Sequence, residues 1–207
     1  MDLKEINAYL QRVIPKPDTT LRAMDRYARK NNFPIIGLQV GRFLYQLAIM
    51  QKARRVLELG SGFGYSAYWF SKAMGKNGTI IMTDSSEENR DRAMEYFKKG
   101  KLKSKFDYRL GDAIATAQKL RGTFDIILND IDKQDYPATI DLAHRLLKKG
   151  GVFVTDNIIW SGRVFDPSVQ TKSTKGIRVF TKRMYADKRF FSTVLPLRDG
   201  ILVAVKL

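Results

Sequence analysis

Apolar residues recur at helical spacing over residues 2–13 and Thr19–Lys30, separated by Pro15 and Pro17, and again over Leu38–Met50, where Val40, Phe43, Leu44, Leu47 and Ile49 share a face. The pattern then shortens. Val56, Leu57 and Leu59 read as a buried strand, Gly60, Gly62 and Gly64 as a tight turn, and Tyr65–Met74 as a helix. A second strand, Thr79–Thr83, ends in Asp84, and Ser85 with Glu88 forms a capping box for a helix to about Lys99. The third strand is Phe106–Leu110, followed by Gly111-Asp112-Ala113 and a short helix to Leu120. Phe124–Asn129 is apolar on both faces, as a central parallel strand should be. Pro137 opens a helix running to Lys148, and Gly150-Gly151 precede a fifth strand, Val152–Thr155, ending in Asp156-Asn157. Residues 158–173 read as a loop and Thr174–Ala186 as a helix. Phe190–Leu195 and Ile201–Leu207 are strands joined by the hairpin signal Arg198-Asp199-Gly200.

This alternation predicts an α/β fold with a doubly wound, mostly parallel sheet closed by an antiparallel pair. At 207 residues the chain is expected to form a single domain, 1–207, with N-terminal helices over 1–50 and a ligand-binding core and C-terminal hairpin over 51–207. Cys is absent and His occurs once, which excludes disulfides, thiolate metal sites and a His-based zinc site. No run approaches membrane-spanning length and residues 1–20 hold no apolar signal core, so the reading is a soluble, cytoplasmic protein. The formal charge of +16, from 37 Lys+Arg against 21 Asp+Glu, favours a polyanionic partner or an anionic substrate. The basic residues are nonetheless spread over Arg22–Lys30, Lys98–Lys105, Lys172–Lys188 and elsewhere, so general solubilisation stands level with anion binding.

Candidate chemistry collects where the predicted strands end. The glycine turn lets backbone N–H groups approach a ligand, with the positive end of the following helix aimed at it. Its spacing, Gly-x-Gly-x-Gly after Glu58, is one residue shorter than the dinucleotide fingerprint, and Asp84 falls where nucleotide folds hold ribose hydroxyls. Asp130 ends the fourth strand and Asp156-Asn157 the fifth. Three oxygen ligands without His or Cys suit a hard divalent cation such as Mg²⁺, although the same residues are also ordinary turn formers, and both readings stay open at this point. Lys133 shares the loop of Asp130, and an amine beside such a cation is suited to accepting a proton.

The segments Glu-Leu-Gly-Ser-Gly-Phe-Gly-Tyr-Ser (58–66), Phe-Asp-Ile-Ile-Leu-Asn-Asp-Ile-Asp-Lys (124–133) with Tyr136, Thr-Asp-Asn-Ile-Ile-Trp-Ser-Gly-Arg-Val (155–164) and Leu-Pro-Leu-Arg-Asp-Gly (195–200) together resemble the cation-dependent O-methyltransferases of the catechol and caffeoyl-CoA type, in family order from about residue 35. The resemblance implies the seven-stranded, Rossmann-like S-adenosylmethionine methyltransferase fold with its reversed last strand. It implies cofactor contacts from Glu58, Gly60, Ser66 and Asp84, with Ala113 near the adenine, and the adjoining Ser61, Gly62, Tyr65, Ser85, Asp112 and Asp130 are counted with them. Asp130, Asp156 and Asn157 become ligands of Mg²⁺, or of Mn²⁺ or Ca²⁺, with Lys133 as catalytic base. Trp160 and Phe165 would wall the acceptor. A homodimer is implied too, the N-terminal helices helping to close the site or form the interface. The sequence departs from the family at Asn129, Ile131, Ile36 and Ser161.

The expected activity is methyl transfer from S-adenosylmethionine to a hydroxyl of a small catechol-like or phenolic acceptor. The alternatives are methylation of a hydroxylated base in tRNA, which the charge favours, an NAD-type nucleotide-binding oxidoreductase, and a non-catalytic anion-binding module.

Overall fold

The computed structural model describes residues 3–207, in two compact units, one ending at Pro34 and one running Ile35–Leu207. The first contains α1 (Leu3–Val13) and α2 (Thr19–Lys30). Asp18 caps α2, its carboxylate accepting from the Leu21 N–H at 2.9 Å, and Leu21, Met24 and Ala28 form the buried stripe.

The second unit opens with α3 (Gly37–Met50) and β1 (Arg55–Leu59), then α4 (Tyr65–Met74), β2 (Thr79–Asp84), α5 (Glu87–Lys99), β3 (Lys105–Leu110), α6 (Ala113–Gln118) and β4 (Phe124–Asn129). It continues through α7 (Thr139–Leu146), β5 (Leu147–Thr155), α8 (Lys172–Ala186), β6 (Phe190–Leu195) and β7 (Ile201–Lys206). The seven strands lie in the order β3-β2-β1-β4-β5-β7-β6. Strands β1–β5 pair in parallel, whereas β7 runs antiparallel to both β5 and β6, so the reversed strand is the last one, as expected. Val56, Leu57, Ile80, Met82, Ile126, Ile127, Val152 and Phe153 are buried on both faces of the central strands, which explains their unbroken apolar runs. The order reverses between β1 and β4, the switch point at which open α/β sheets leave a crevice outside the strands' carboxyl ends.

Several boundaries differ from the sequence reading. The cap of α5 is Ser86, accepting from the Asn89 N–H at 3.2 Å, not Ser85, which is exposed; β2 carries one residue further than the capping-box spacing suggested. The helix expected over Pro137–Lys148 begins as a 3-10 turn at Lys133–Ala138, with α7 proper starting at Thr139 and ending at Leu146. Leu147 is already extended, and β5 takes in Gly150 and Gly151 at a register irregularity opposite Phe124 and Ile126. Gly150 has φ +75°, and a Cβ on Gly151 would stand 2.9 Å from the Lys148 carbonyl oxygen, so these glycines form the irregularity inside the strand rather than punctuation before it. The 158–173 loop contains a 3-10 turn at Trp160–Gly162.

Two close packings place elements around the site. On α3, Gly41 lies directly beneath the Trp69 indole of α4, and a Cβ there would overlap the ring. On α8, Gly176 lies against the 3-10 turn, where a Cβ would come within 2.7 Å of Gln134 Cα and closer still to the Lys133 carbonyl. Gly41→Ala is therefore expected to destabilise the protein by about 1–3 kcal/mol, the cost of overpacking a filled contact, and Trp69→Phe in the same chain should recover part of it. Thermal or urea unfolding of the single and double variants measures this; equal stability of Gly41→Ala and the parent chain would show that the helix pair is not tightly fitted.

Candidate functional site

The carboxyl ends of β1, β2, β4 and β5 stand side by side, because Leu59 is in register with Thr83 and Asn129, and Asn129 with Thr155. Each strand therefore releases its next residues into the same crevice: the glycine turn, Asp84, Asp130 and Asp156-Asn157.

The glycine turn is tied to β2 rather than free. Ser61 N–H donates to the Thr83 carbonyl at 2.8 Å and Thr83 N–H donates to Ser61 Oγ at 3.2 Å. Thr83 Oγ1 donates to the Glu58 carbonyl at 2.9 Å and accepts from the Gly60 N–H at 3.3 Å. Asp84 accepts from the Gly62 N–H on one oxygen at 3.0 Å, and from Ser86 N–H and Asn89 Nδ2 on the other at 2.9 and 3.1 Å. It thus spans the turn and the start of α5, and the oxygen facing Gly62 keeps a further lone pair. Tyr108 of β3 closes the turn from the other side, donating its hydroxyl to the Gly62 carbonyl at 2.6 Å. Gly60, Gly62 and Gly64 all have positive φ, and a Cβ on Gly60 would stand 2.5 Å from the Asp130 carbonyl oxygen. Gly64 caps α4 without a side chain, so no cap competes with a ligand for that helix's first turn. Tyr65 and Ser66 follow on α4, both buried.

Glu58 is fully buried, and neither carboxylate oxygen has a hydrogen bond of full geometry. Burial pushes its carboxyl up to about 8; the facing Ser66 and Ser61 hydroxyls offset part of this, and the charge of Asp130 adds to it. Asp112 is exposed and caps α6 by accepting from the Ala115 N–H at 2.7 Å, leaving Ala113 half-buried at the helix start.

On the neighbouring strands, Asp130 N–H donates to the Leu59 carbonyl at 2.9 Å and Asp156 N–H to the Asn129 carbonyl at 3.2 Å. Lys133 Nζ donates to Asp130 Oδ1 at 2.7 Å and to the Ile131 carbonyl at 3.1 Å, and lies 5.3 Å from the centre of the Tyr136 ring and 5.9 Å from that of Trp160. Tyr136 is buried and donates to the Asp156 carbonyl at 3.0 Å, linking this turn to the end of β5. Asp156 is 2% exposed; burial lifts its carboxyl, Asp130 adds to the rise, and the Asn157 N–H, Arg198 and Lys133 oppose it. Burial raises Asp130 as well, against Lys133 and Arg198. Asn157 has φ +59° and donates Nδ2 to Asp199 Oδ2 at 3.3 Å.

The crevice brings together Glu58, Gly60, Ser61, Gly62, Asp84, Asp130, Lys133, Asp156 and Asn157 much as the sequence placed them. Of the aromatic pair beside Lys133, Trp160 is half-buried against the core, whereas Phe165 is 73% exposed and packs on nothing comparable. Asn129, the departure before Asp130, turns its Nδ2 to Thr139 Oγ1 at 3.3 Å on α7 and leaves its Oδ1 buried without a partner. Thr83, Tyr108, Tyr136 and Asp199 brace the site without having been singled out for it; Tyr136 and Asp199 stood inside the quoted motifs, and Thr83 beside Asp84. Among the described residues no group of three or more His, Cys, Asp or Glu is placed to hold a metal ion.

Because the folded Glu58 carboxyl holds its proton to about pH 8 whereas an unfolded one releases it near 4.5, the folded state binds more protons across that interval. Stability from this group is full below about pH 4.5 and is lost as pH rises towards 8. Glu58→Gln should flatten the fall in Tm of the ligand-free protein between pH 5 and 8, an effect on the order of a few kcal/mol; a pH profile parallel to that of the parent chain would rule out this carboxyl as the source.

A family model described as O-methyltransferase matches residues 16–207. The catechol O-methyltransferase domain-containing protein 1 of mouse is 31% identical over 169 residues, 79% of this chain and 64% of that protein's length. A catechol O-methyltransferase of Niastella koreensis is 29% identical over 98% of this chain and 96% of its own, and caffeoyl-CoA O-methyltransferase 1 of Arabidopsis thaliana is 28% identical over 94% and 81%. Among solved structures, an O-methyltransferase from Bacillus cereus in complex with SAH superposes with a TM-score of 0.88 at 28% identity, over 98% of this chain and 97% of that one. These matches leave no support for the oxidoreductase alternative. The chain belongs to the O-methyltransferase family, S-adenosylmethionine-dependent enzymes of the catechol and caffeoyl-CoA type.

Proposed function

We propose that the protein methylates a hydroxyl of a small catechol-like or phenolic acceptor, with a divalent cation, Mg²⁺ or else Mn²⁺ or Ca²⁺, held by Asp130, Asp156 and Asn157. The observation that carries this reading is the 2.7 Å contact of Lys133 Nζ with Asp130, on the strand end adjoining Asp156. The donor set fits a hard cation. All three candidate ligands carry oxygen, and burial and then the neighbouring Asp130 raise the Asp156 carboxyl, a strain that nearby positive charge relieves. When bound, S-adenosylmethionine supplies the electrophilic methyl group and the cation supplies positive charge beside the acceptor oxygen.

The chain's own residues do the rest. The backbone of Gly60–Gly64 and the open first turn of α4 receive the donor, and Asp84 keeps a lone pair on the oxygen facing Gly62 for a ribose hydroxyl. Lys133 Nζ lies 5.3 Å and 5.9 Å from the centres of the Tyr136 and Trp160 rings and, as the neutral amine, which keeps one lone pair while donating to Asp130 and the Ile131 carbonyl, takes the acceptor's proton there. Trp160 supports the flat face of an aromatic acceptor. Holding oxygen, methyl carbon and sulfur in line supplies much of the rate.

A chelator should abolish methylation of a catechol acceptor, and added Mg²⁺ should restore it. Lys133→Met should lower kcat by about 100-fold or more. Turnover indifferent to both chelator and Lys133→Met would refute the reading.

The formal charge of +16 supports a second acceptor, a hydroxylated base in tRNA. Its binding should weaken steeply between low and high salt, whereas catechol turnover should hold; tRNA binding insensitive to salt would remove this alternative.

A further inference from the structure

The hairpin turn between β6 and β7 grips the loop after β5 at four points. Ile158 N–H donates to the Gly200 carbonyl at 3.0 Å and Ile159 N–H to the Asp199 carbonyl at 2.8 Å. Ser161 N–H donates to Asp199 Oδ1 at 2.5 Å, and Asn157 Nδ2 donates to Asp199 Oδ2 at 3.3 Å. Gly200 lies so close that a Cβ would stand 2.8 Å from the Ile159 nitrogen. The gripped loop needs such support, since Asn157, Trp160 and Ser161 all hold left-handed backbone, at φ +59°, +50° and +52°. Non-glycine residues stay there only when their surroundings over-determine them.

An ionised carboxylate only accepts hydrogen bonds. The side of the Asn157 carboxamide facing Asp199 must therefore be its NH₂, and the carbonyl oxygen must face the other way. With an acceptor at that position the side chain presents oxygen; turned over, it would present N–H groups, which no cation accepts as ligands.

We infer that Asp199 is a positioning residue that aims the Asn157 carbonyl oxygen into the site. The inference rests on the cation reading above. It makes a sharp prediction about Asp199→Asn. Asn at 199 has one acceptor oxygen, which the Ser161 N–H takes, so its NH₂ faces Asn157 and selects the carbonyl on that side, turning the NH₂ of Asn157 into the site. The double variant Asn157→Asp/Asp199→Asn satisfies every partner again: the new amide accepts from Ser161 and donates to a carboxylate at 157, which needs no orienting because both its ends are oxygen.

The test measures Mn²⁺ binding to the protein without donor or acceptor, by electron paramagnetic resonance, alongside the protection of the Asn157 side-chain amide in ¹⁵N-resolved spectra. Asp199→Asn should weaken Mn²⁺ about 10- to 100-fold and shift the amide signal, and the double variant should regain most of the lost affinity. A merely structural role for Asp199 would not be rescued by the swap. Unchanged Mn²⁺ affinity in Asp199→Asn overturns the positioning role alone, as does a double variant no better than the single one. Parent protein that binds no Mn²⁺ overturns the cation reading and this role with it.

Discussion

The site depends on how closely β1 and β4 approach at their carboxyl ends. A Cβ on Gly60 would stand 2.5 Å from the Asp130 carbonyl oxygen, while Asp130 N–H donates to Leu59 on the same strand. Gly60 also donates to Thr83 Oγ1, whose hydroxyl holds the Glu58 carbonyl. One residue without a side chain thus sits where the glycine turn, β2 and the acid-bearing loop meet. A bulkier residue would push Asp130 away, and Lys133, bonded to Asp130, would follow it. The switch point of the sheet is therefore a fixed spacing between two loops, set by backbone contact rather than by flexible side chains.

Against that spacing the charges are placed unfavourably for the ligand-free fold. In a chain with formal charge +16, the acids of the crevice are the buried ones: Glu58 is wholly enclosed without a well-formed partner, and Asp156 shares its surroundings with Asp130. Lys133 and Arg198 compensate only in part. Such an arrangement lowers the stability of the empty protein and favours whatever positive or hydrogen-bonding ligand completes it, the ordinary cost of a preorganised site. Asn129 and Thr155, in register on β4 and β5 just beneath, each leave a buried side-chain oxygen unpartnered, so the unsatisfied polarity extends one layer below the crevice.

Much of this was legible in the sequence because the fold's periodicities are clean. The apolar runs at Val56–Leu59, Thr79–Thr83 and Phe124–Asn129 are buried on both faces, so their composition and their structure agree. The residues directly after each strand had to fall at one edge of a parallel sheet, which made Asp84, Asp130 and Asp156 readable as a group. What periodicity does not encode is contact across the chain. Ser85 lost the cap of α5 to Ser86 because strand pairing to β3 continues through Asp84. Leu147 left α7 early because β5 pairs with β4 from there. Thr83, Tyr108 and Asp199 act through partners 22 to 46 positions away in the chain, which the periodicity of their own segments does not encode.

The close seat of Gly176 on the 3-10 turn has a consequence for how such a protein can change. That turn carries Lys133 at its first residue, and its backbone rests on Gly176 of α8, 43 positions further along the chain. The height at which α8 lies on the turn sets the reach of the lysine into the crevice. Substitutions on α8 that tilt or lift the helix can therefore move Lys133 from outside the crevice, without altering any residue that lines it. A lineage exploring new acceptors has in α8 a lever separate from the pocket lining, and divergence there is free to adjust reactivity while the pocket lining adjusts recognition.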